Sequence, residues 1–129
     1  IPGKPIPWMA ARVTRRGTFS PRASDLKRFK NIVSSQYNGP VIESAVICHV
    51  TSYRPIPKGT SKANRLLMLS GDKPPITRPD RTNIAKLYED ALIGIVIVDD
   101  SQIVGGEVAK WYCENPRVEL IIYKIGEAE

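Results

Sequence analysis

The chain has 129 residues, 42% of them hydrophobic, and a formal charge of +6 at pH 7. This length predicts a single domain over residues 1–129 with a real hydrophobic core, and it excludes two domains. No apolar stretch approaches the roughly 18 residues that cross a bilayer, so neither a membrane anchor nor a membrane partner is expected.

Charge is distributed unevenly along the chain. Residues 1–30 contain eight Lys or Arg and one acid, and residues 54–81 contain seven and two. Residues 82–129 reverse this balance, with four basic residues and nine acids. A basic front with an acidic back is the pattern expected of a nucleic-acid-binding protein with a metal site. On charge alone, an ordinary basic protein that binds no nucleic acid remains an alternative.

The first third of the chain is predicted to be irregular and then helical. Residues 1–8 are punctuated by proline, which indicates an extended edge segment or a loop. Arg12–Thr18 is predicted to be a flexible arm or a short hairpin. Hydrophobic residues then recur at helical spacing, so a helix is predicted that begins at Ser24 or Asp25 and ends by Asn38.

The middle of the chain is predicted to contain a strand, a loop and a short helix. Val41–Tyr53 is rich in β-branched residues and predicts a long strand. Its histidine, His49, has no partner at metal-ligand spacing and is interpreted as structural. Arg54–Pro75 is predicted to be a basic loop that includes a short helix over Lys62–Leu69.

The last part is predicted to be a helix followed by three strands. The helix runs from Asn83 onward with Gly94 as its cap. The strands are predicted over Ile95–Val98, which is short and buried, over Gln102–Tyr112 and over Arg117–Ile125. Helices and strands without regular βαβ alternation predict an α+β fold, a mixed β-sheet with two to three helices packed mainly on one face.

Acidic residues and a lysine flank the predicted helix of the last part. Asp80 precedes this helix, Lys86 lies within it, and Asp99 and Asp100 follow the next apolar run. Magnesium prefers hard oxygen ligands, and a nuclease uses such a metal to activate water. A lysine nearby can neutralise a phosphate. These residues form one site only if the segment after Val98 packs beside the helix; otherwise they are an ordinary solvated surface.

Fixed polar positions in this region resemble a known family. The pattern RPDxxNxxKxxxDAL, followed after a short spacer by DDxQIV, occupies residues 78–104. With the opening IPGKPIP and the closing PRVELIIY, it resembles the RusA-type Holliday-junction resolvases, which phages and prophages often encode. The resemblance covers nearly the whole chain and implies a RusA-like endonuclease domain.

The resemblance implies a specific activity and location. The expected protein is a homodimeric, magnesium-dependent crossover junction endodeoxyribonuclease that resolves four-way DNA junctions by paired symmetric nicks, with Mn²⁺ as an alternative metal. Branched DNA is the expected partner, in DNA recombination and repair. Two cysteines, Cys48 and Cys113, are too few for a disulfide framework, which is typical of a cytoplasmic protein. A bacterial cell is therefore the expected location, with the gene carried by the bacterium, a prophage or a phage.

The resemblance also assigns roles to individual residues. The family's first aspartate falls on Asp80, its lysine on Lys86 and its third aspartate on Asp100, and these are the expected catalytic groups. The expected metal ligands are Asp80, Asp100 and the neighbouring Asp99. The residues expected to support them are Thr82, Asn83 and Asp90.

The family's second aspartate is missing from this chain. The family pattern is DxDN, and Thr82 occupies the position of the second acid. A hydroxyl carries no charge and is a poorer magnesium ligand than a carboxylate. Three explanations are open: a natural variant that binds junctions with little or no cleavage, replacement by Asp72, Asp90 or Glu89, or a substitution introduced to trap a complex. The alternative function is therefore a catalytically impaired branched-DNA-binding protein of the same fold.

The basic residues are expected to contact phosphates of the junction arms. Such contacts position DNA without reading its bases, and they make affinity fall steeply with salt. The expected contacts are Arg12, Arg15, Arg16, Arg22, Lys58, Lys62, Arg65, Arg78 and Arg81. Trp111 and Tyr112 are expected to be core residues and not wedges between bases. An RNA-binding or scaffold protein that kept the fold is a third alternative, although no RNA-binding aromatic motif occurs.

Overall fold

The computed structural model of the chain describes residues 1–6, 12–14, 17–19 and 21–126, with the backbone alone described for 12–14 and 17–19. Its helices are α1 (Ala23–Gln36), α2 (Lys62–Ser70) and α3 (Arg81–Asp90). Its strands are β1 (Arg12–Thr14), β2 (Gly17–Phe19), β3 (Val46–Arg54), β4 (Ile103–Gly105), β5 (Val108–Tyr112) and β6 (Arg117–Lys124). A 3-10 turn over Asp100–Gln102 precedes β4. No helix in the described part of the chain is long and apolar enough to cross a membrane.

The main sheet is built around β3. Strand β6 pairs antiparallel with β3 along one edge, from the pair Val46–Lys124 to the pair Tyr53–Arg117. Because β6 occupies that edge throughout, β4 and β5 share the other edge, where both run parallel to β3. The mixed sheet confirms the predicted α+β class. Strands β1 and β2 form a separate antiparallel pair, which favours the hairpin prediction for this segment.

The inner face of the sheet holds the hydrophobic core. Every second residue of β3 from Val46 to Arg54 is buried. Helices α1 and α3 cover this face, and the rings of Phe29 and Tyr88 stack between them with centroids 4.6 Å apart. The Tyr88 hydroxyl accepts a hydrogen bond from the Ile6 backbone at 3.1 Å. Each large side chain fully buried here contributes about 1.5–3 kcal/mol, and the packing of two helices on one face confirms the prediction.

The outer face of the sheet is the opposite surface and is only partly buried. It carries the intervening residues of β3, with their β6 partners beside them, namely Ile47, His49, Thr51, Tyr53, Ile121 and Tyr123. Residues that alternate along a strand point to opposite faces, so the one-sided burial of β3 follows from the helices lying on one side only.

Helix α2 lies at the β5 side of the molecule. Its start is capped by Ser61, whose hydroxyl accepts from the Asn64 N–H at 3.2 Å, and it ends at Gly71 in a left-handed conformation. These two caps explain why the predicted helix forms although none of its residues is buried. Beside it lies Trp111, which is 39% exposed. The prediction that Trp111 is a core residue is therefore wrong, since it lies on the outer side, in register with Tyr53.

The predicted strand over Val41–Tyr53 begins later than expected, at Val46. Residues 41–45 contain an isolated bridge between Ile42 and Ile97. Their carbonyl groups are satisfied by a side chain, because the Gln102 amide donates to Ile42 O at 2.8 Å and to Ser44 O at 2.9 Å. A distant side chain thus replaces the strand partner.

The predicted strand over Ile95–Val98 is wrong, and so is the predicted cap at Gly94. Helix α3 ends at Asp90, and the chain then forms a compact turn in which the N–H groups of residues 95–97 all donate to the Leu92 carbonyl. Gly94 lies in this turn with a φ of +84° and donates to Ile97 O. The apolar run is buried by folding back on itself.

The predicted strand over Gln102–Tyr112 is interrupted at Gly106. The break separates β4 from β5, which pair with successive parts of β3. Gly106 has a φ of +139°, and a β-carbon there would collide with the Cys48 carbonyl oxygen. Only glycine allows this close approach of the two backbones.

Candidate active site

Asp80 lies at the start of α3 with its carboxylate exposed. The residue adopts the extended conformation of an N-cap, yet its side chain caps no backbone N–H. It makes no hydrogen bond or ion pair with any residue that the structure describes. A carboxylate at the positive end of a helix dipole is stabilised as an anion, so Asp80 is available to an external ligand.

The loop that carries Asp80 is bound by Arg54, a residue that the sequence analysis did not single out. Arg54 ends β3 on the inner face and is 8% exposed. Its Nη1 donates to Thr77 O at 3.0 Å and Arg78 O at 3.2 Å, and its Nη2 donates to Pro79 O. Three consecutive carbonyl groups before Asp80 are therefore fixed by one guanidinium. The alternation of buried residues along β3 could have predicted this burial.

Lys86, Asp90 and Asp100 come together at the other end of α3. Lys86 Nζ lies 3.7 Å from Asp90 Oδ1, one helical turn along, and 4.0 Å from Asp100 Oδ2. The Asp100 side chain is 44% exposed and the Asp90 side chain 21%. The predicted packing of the 3-10 turn beside the helix therefore occurs, and it brings Lys86 to Asp100. Asp80 lies about 9 Å from Lys86 along the helix axis, at 1.5 Å per residue.

The carboxylates near Asp100 repel one another. Partial burial, and then repulsion from Asp100 and Asp90, raises the pKa of Glu89. Burial also raises the pKa of Asp90, while Lys86 opposes that rise. Glu89, which was considered only as a replacement acid, therefore belongs to the same electrostatic cluster. Carboxylates with a raised pKa in a polar site are typical of functional sites.

Asp99 has a structural role at this turn. Its Oδ2 accepts a hydrogen bond from the Ser101 N–H at 3.1 Å, and Gln102 Oε1 accepts from the Asp99 N–H at 3.0 Å. Hydrogen bonding from Ser101 lowers the pKa of Asp99. This reciprocal cap fixes the turn on which Asp100 lies. Metal binding by Asp99 stays a prediction, since one of its oxygens already has a donor.

Thr82 and Asn83 are exposed in the first turn of α3, next to Asp80. Of the acids considered as replacements for the missing aspartate, Asp72 accepts from the Ser70 hydroxyl at 2.9 Å and lines a different cavity, with Tyr53 and Trp111. The remaining two, Asp90 and Glu89, lie with Asp100. The geometry therefore favours these two over Asp72.

The described residues offer hard oxygen donors to a metal, but they do not gather three of them. Among residues 1–6 and 21–126, no group of three His, Cys, Asp or Glu side chains is arranged to hold an ion. Magnesium is commonly bound by one or two carboxylates, with waters and substrate phosphates completing its octahedron. The exposed carboxylates of Asp80 and Asp100 fit such a partial donor set.

The predicted DNA contacts differ in their surroundings. Arg65 pairs with Glu114 at 3.0 Å, Arg22 pairs with Asp25 at 3.8 Å, and Arg81 donates to Val108 O at 3.1 Å. The exposed basic residues of the set also include Lys58, Lys62 and Arg78. The side chains of Arg12, Arg15 and Arg16 lie outside the described residues. The exposed members keep their predicted role as a proposal.

Comparison with known proteins identifies the family. The chain matches the model of endodeoxyribonuclease RusA over residues 2–123. It belongs to the RusA endodeoxyribonuclease family. The match to the RusA model includes the whole region from Asp80 to Asp100, so the family prediction is confirmed. The chain is also 37% identical over 102 residues to the uncharacterized protein YqaN of Bacillus subtilis (strain 168), covering 77% of this chain and 72% of YqaN.

Proposed function

We propose that this protein is a magnesium-dependent endonuclease that resolves four-way DNA junctions by paired nicks, as a homodimer inside a bacterial cell. The observation that carries the proposal is the position of the Lys86 ammonium between Asp90 and Asp100, on the helix that begins at the unpaired carboxylate of Asp80. Membership of an endodeoxyribonuclease family supports the same chemistry.

Each side chain has a distinct proposed role. Asp80 and Asp100 would hold the divalent cation together with a phosphate of the DNA; Mn²⁺ suits the same carboxylate donors. A bound metal supplies activation of water and stabilisation of charge on the reacting phosphate. Lys86 would neutralise that phosphate, and Asp90 would position Lys86 through the ion pair one turn along α3.

The basic surface would bind the junction arms. Exposed Lys58, Lys62 and Arg78 would contact phosphates, so affinity would fall with rising salt. A four-way junction has near two-fold symmetry and needs two cuts, and a symmetric homodimer supplies two equivalent sites at a fixed separation.

A second candidate function is junction binding with little or no cleavage. The observation that favours it is Thr82, an uncharged residue exposed beside Asp80 where the family has an acid. The lack of a three-carboxylate group among the described residues supports it as well.

A labelled four-way junction incubated with magnesium tests the proposal. The protein is expected to make paired nicks, and Asp100→Asn is expected to lower their rate by at least about a hundredfold, the scale of losing a transition-state contact. Junction binding should stay intact or tighten, because removing an acid reduces repulsion of phosphate. Asp72→Asn, an exposed acid outside the site, is the matched control and should cleave normally.

Two results would contradict these assignments. If Asp100→Asn nicks at the rate of the unmodified protein, Asp100 is not in the site. If the unmodified protein binds the junction tightly and never nicks it, the binding function is the correct one.

A further inference from the structure

The outer face of the sheet presents apolar and aromatic side chains to solvent. Ile121 is 45% exposed, and the flanking Trp111 is 39% exposed. Next to Trp111, a cavity of about 410 Å³ opens between the sheet and α2, lined by Tyr53, Met68 and Leu69 among others. The apolar surface therefore continues from β6 across β3 to α2.

Charges on this surface cancel. Arg117 and Glu119, which flank Ile121 along β6 in register with Tyr53 and Thr51, form an ion pair at 2.8 Å. The Arg117 guanidinium also lies 4.1 Å above the Tyr53 ring centroid. In a chain of charge +6, a neutral apolar face is unsuited to phosphate, which basic side chains bind.

The polar groups of the face are held in place within the chain. His49 Nδ1 accepts from the Glu107 N–H at 2.8 Å, and its Nε2 lies 3.3 Å from the Tyr123 hydroxyl. The two rings are 5.7 Å apart between centroids. A preorganised surface loses little side-chain entropy on association, so this face is ready for a partner of the same shape and chemistry.

We propose, building on the homodimer proposed above, that the outer face is the surface through which two copies of this chain associate. A two-fold axis brings Ile121 of one copy toward the equivalent surface of the other, and each Arg117–Glu119 pair can meet its counterpart with opposite charges facing. The two sheets would stack about 10 Å apart. Lys86 and Asp100 lie beside α3, on the opposite side of the sheet, and both sites stay open to DNA.

The extent of the face indicates which residues the interface needs. A strand of nine residues flanked on both sides gives a footprint of about 30 by 14 Å, or about 400 Å². A stable interface buries about 800 Å² per partner. The α2 flank with Leu69 must therefore take part as well as the sheet.

Sedimentation equilibrium of Ile121→Glu tests the surface. The unmodified protein should be a dimer, and a buried carboxylate at the centre of the face should raise the dimer Kd by at least about thirtyfold. Val41→Glu is the matched control, because Val41 is similarly exposed, at 42%, outside the face; it should remain dimeric. A dimer that survives Ile121→Glu unchanged, or an unmodified protein that is monomeric, overturns the inference.

Cross-linking decides the question if Ile121→Glu fails to fold. Ile121→Cys in a Cys113→Ser background should give covalent dimers with a bismaleimide of about 10 Å span, the spacing of stacked sheets. Val41→Cys should give none, and Cys48 is buried. Absence of cross-linked dimers from Ile121→Cys overturns the inference.

Cleavage separates this inference from the proposed function. A protein that dimerises through this face but never nicks a junction retains the interface and loses the enzymatic function. A protein that nicks junctions while Ile121→Glu stays dimeric retains the function and loses the interface.

Discussion

The two ends of helix α3 hold their acids in different ways. At the start, Asp80 is positioned by its backbone, because Arg54 binds the three preceding carbonyl groups and leaves the carboxylate itself unpartnered among the described residues. At the end, Asp90 and Asp100 are positioned by charge, through Lys86 at 3.7 and 4.0 Å.

The difference determines what disturbs each end. The start of α3 should be sensitive to substitutions that alter hydrogen bonding of the loop and insensitive to moderate changes of pH. The end should be sensitive to protonation, since the pKa values of Glu89 and Asp90 are raised by burial before any other cause. One end is fixed by geometry and the other by an electrostatic balance.

The largest expected effect is that of Arg54→Met. The substitution leaves the carbonyl groups of residues 77–79 without their donor, so the free energy of unfolding should fall by about 3 kcal/mol. Cleavage at saturating junction should fall between about tenfold and a hundredfold through misplacement of Asp80, while junction affinity is unchanged because Arg54 is buried. Denaturant unfolding and single-turnover cleavage measure the two effects.

Lys110→Met is the control for Arg54→Met. Lys110 donates one hydrogen bond, to Thr77 O at 3.1 Å, so its loss should cost only about 1 kcal/mol. Equal destabilisation by the two substitutions would mean that the guanidinium does not organise the loop.

Thr82→Asp should raise cleavage by about tenfold or more, the scale on which mispositioned or missing transition-state contacts act. It restores the family's second acid beside Asp80. It should also stabilise the first turn of α3 by about 0.3–1 kcal/mol through the helix dipole. Magnesium titration of the cleavage rate is the measurement. Thr82→Asn, which matches the size without the charge, should do neither, and a similar gain with asparagine would exclude a ligand role.

Asp90→Asn tests the electrostatic end of α3. Lys86 then keeps only Asp100 of its two printed ion-pair partners, and cleavage should fall a few-fold, with a stability loss of about 0.3–0.5 kcal/mol. As pH falls through the raised pKa of Asp90, the unmodified protein loses the same charge. The ratio of the two cleavage rates should therefore approach one at low pH, and a ratio constant with pH would show that Asp90 does not position Lys86.

Glu89→Gln should have the smallest effect and the opposite sign. A carboxyl group whose pKa is raised on folding binds more protons when folded, so its charge costs stability above that pKa. The variant should be more stable than the unmodified protein at pH 7, by at most about 1 kcal/mol because solvent screens a half-buried group. The gain should shrink as pH falls through the raised pKa and vanish below the ordinary value of 4.5. Urea unfolding at several pH values measures it.

The sequence predicted the elements whose signals are local. Helix α2 follows from Ser61 and Gly71 at its ends, and α3 from apolar residues at helical spacing. Strand β6 was predicted to within one residue of its observed end at Lys124. In the site, the motif identified Asp80, Lys86 and Asp100 because their spacing in a family pattern survives without any knowledge of packing.

Tertiary structure decided the features whose partners lie far apart in the chain. Residues 41–45 are not a strand because Gln102, 60 residues away, donates to Ile42 O, and residues 95–97 form a turn because Leu92 accepts their N–H groups. The role of Arg54 depends on a loop 23–25 residues downstream. Periodicity and motif reveal what a segment can form alone, whereas hydrogen bonds between distant segments select among those forms only after the chain has folded.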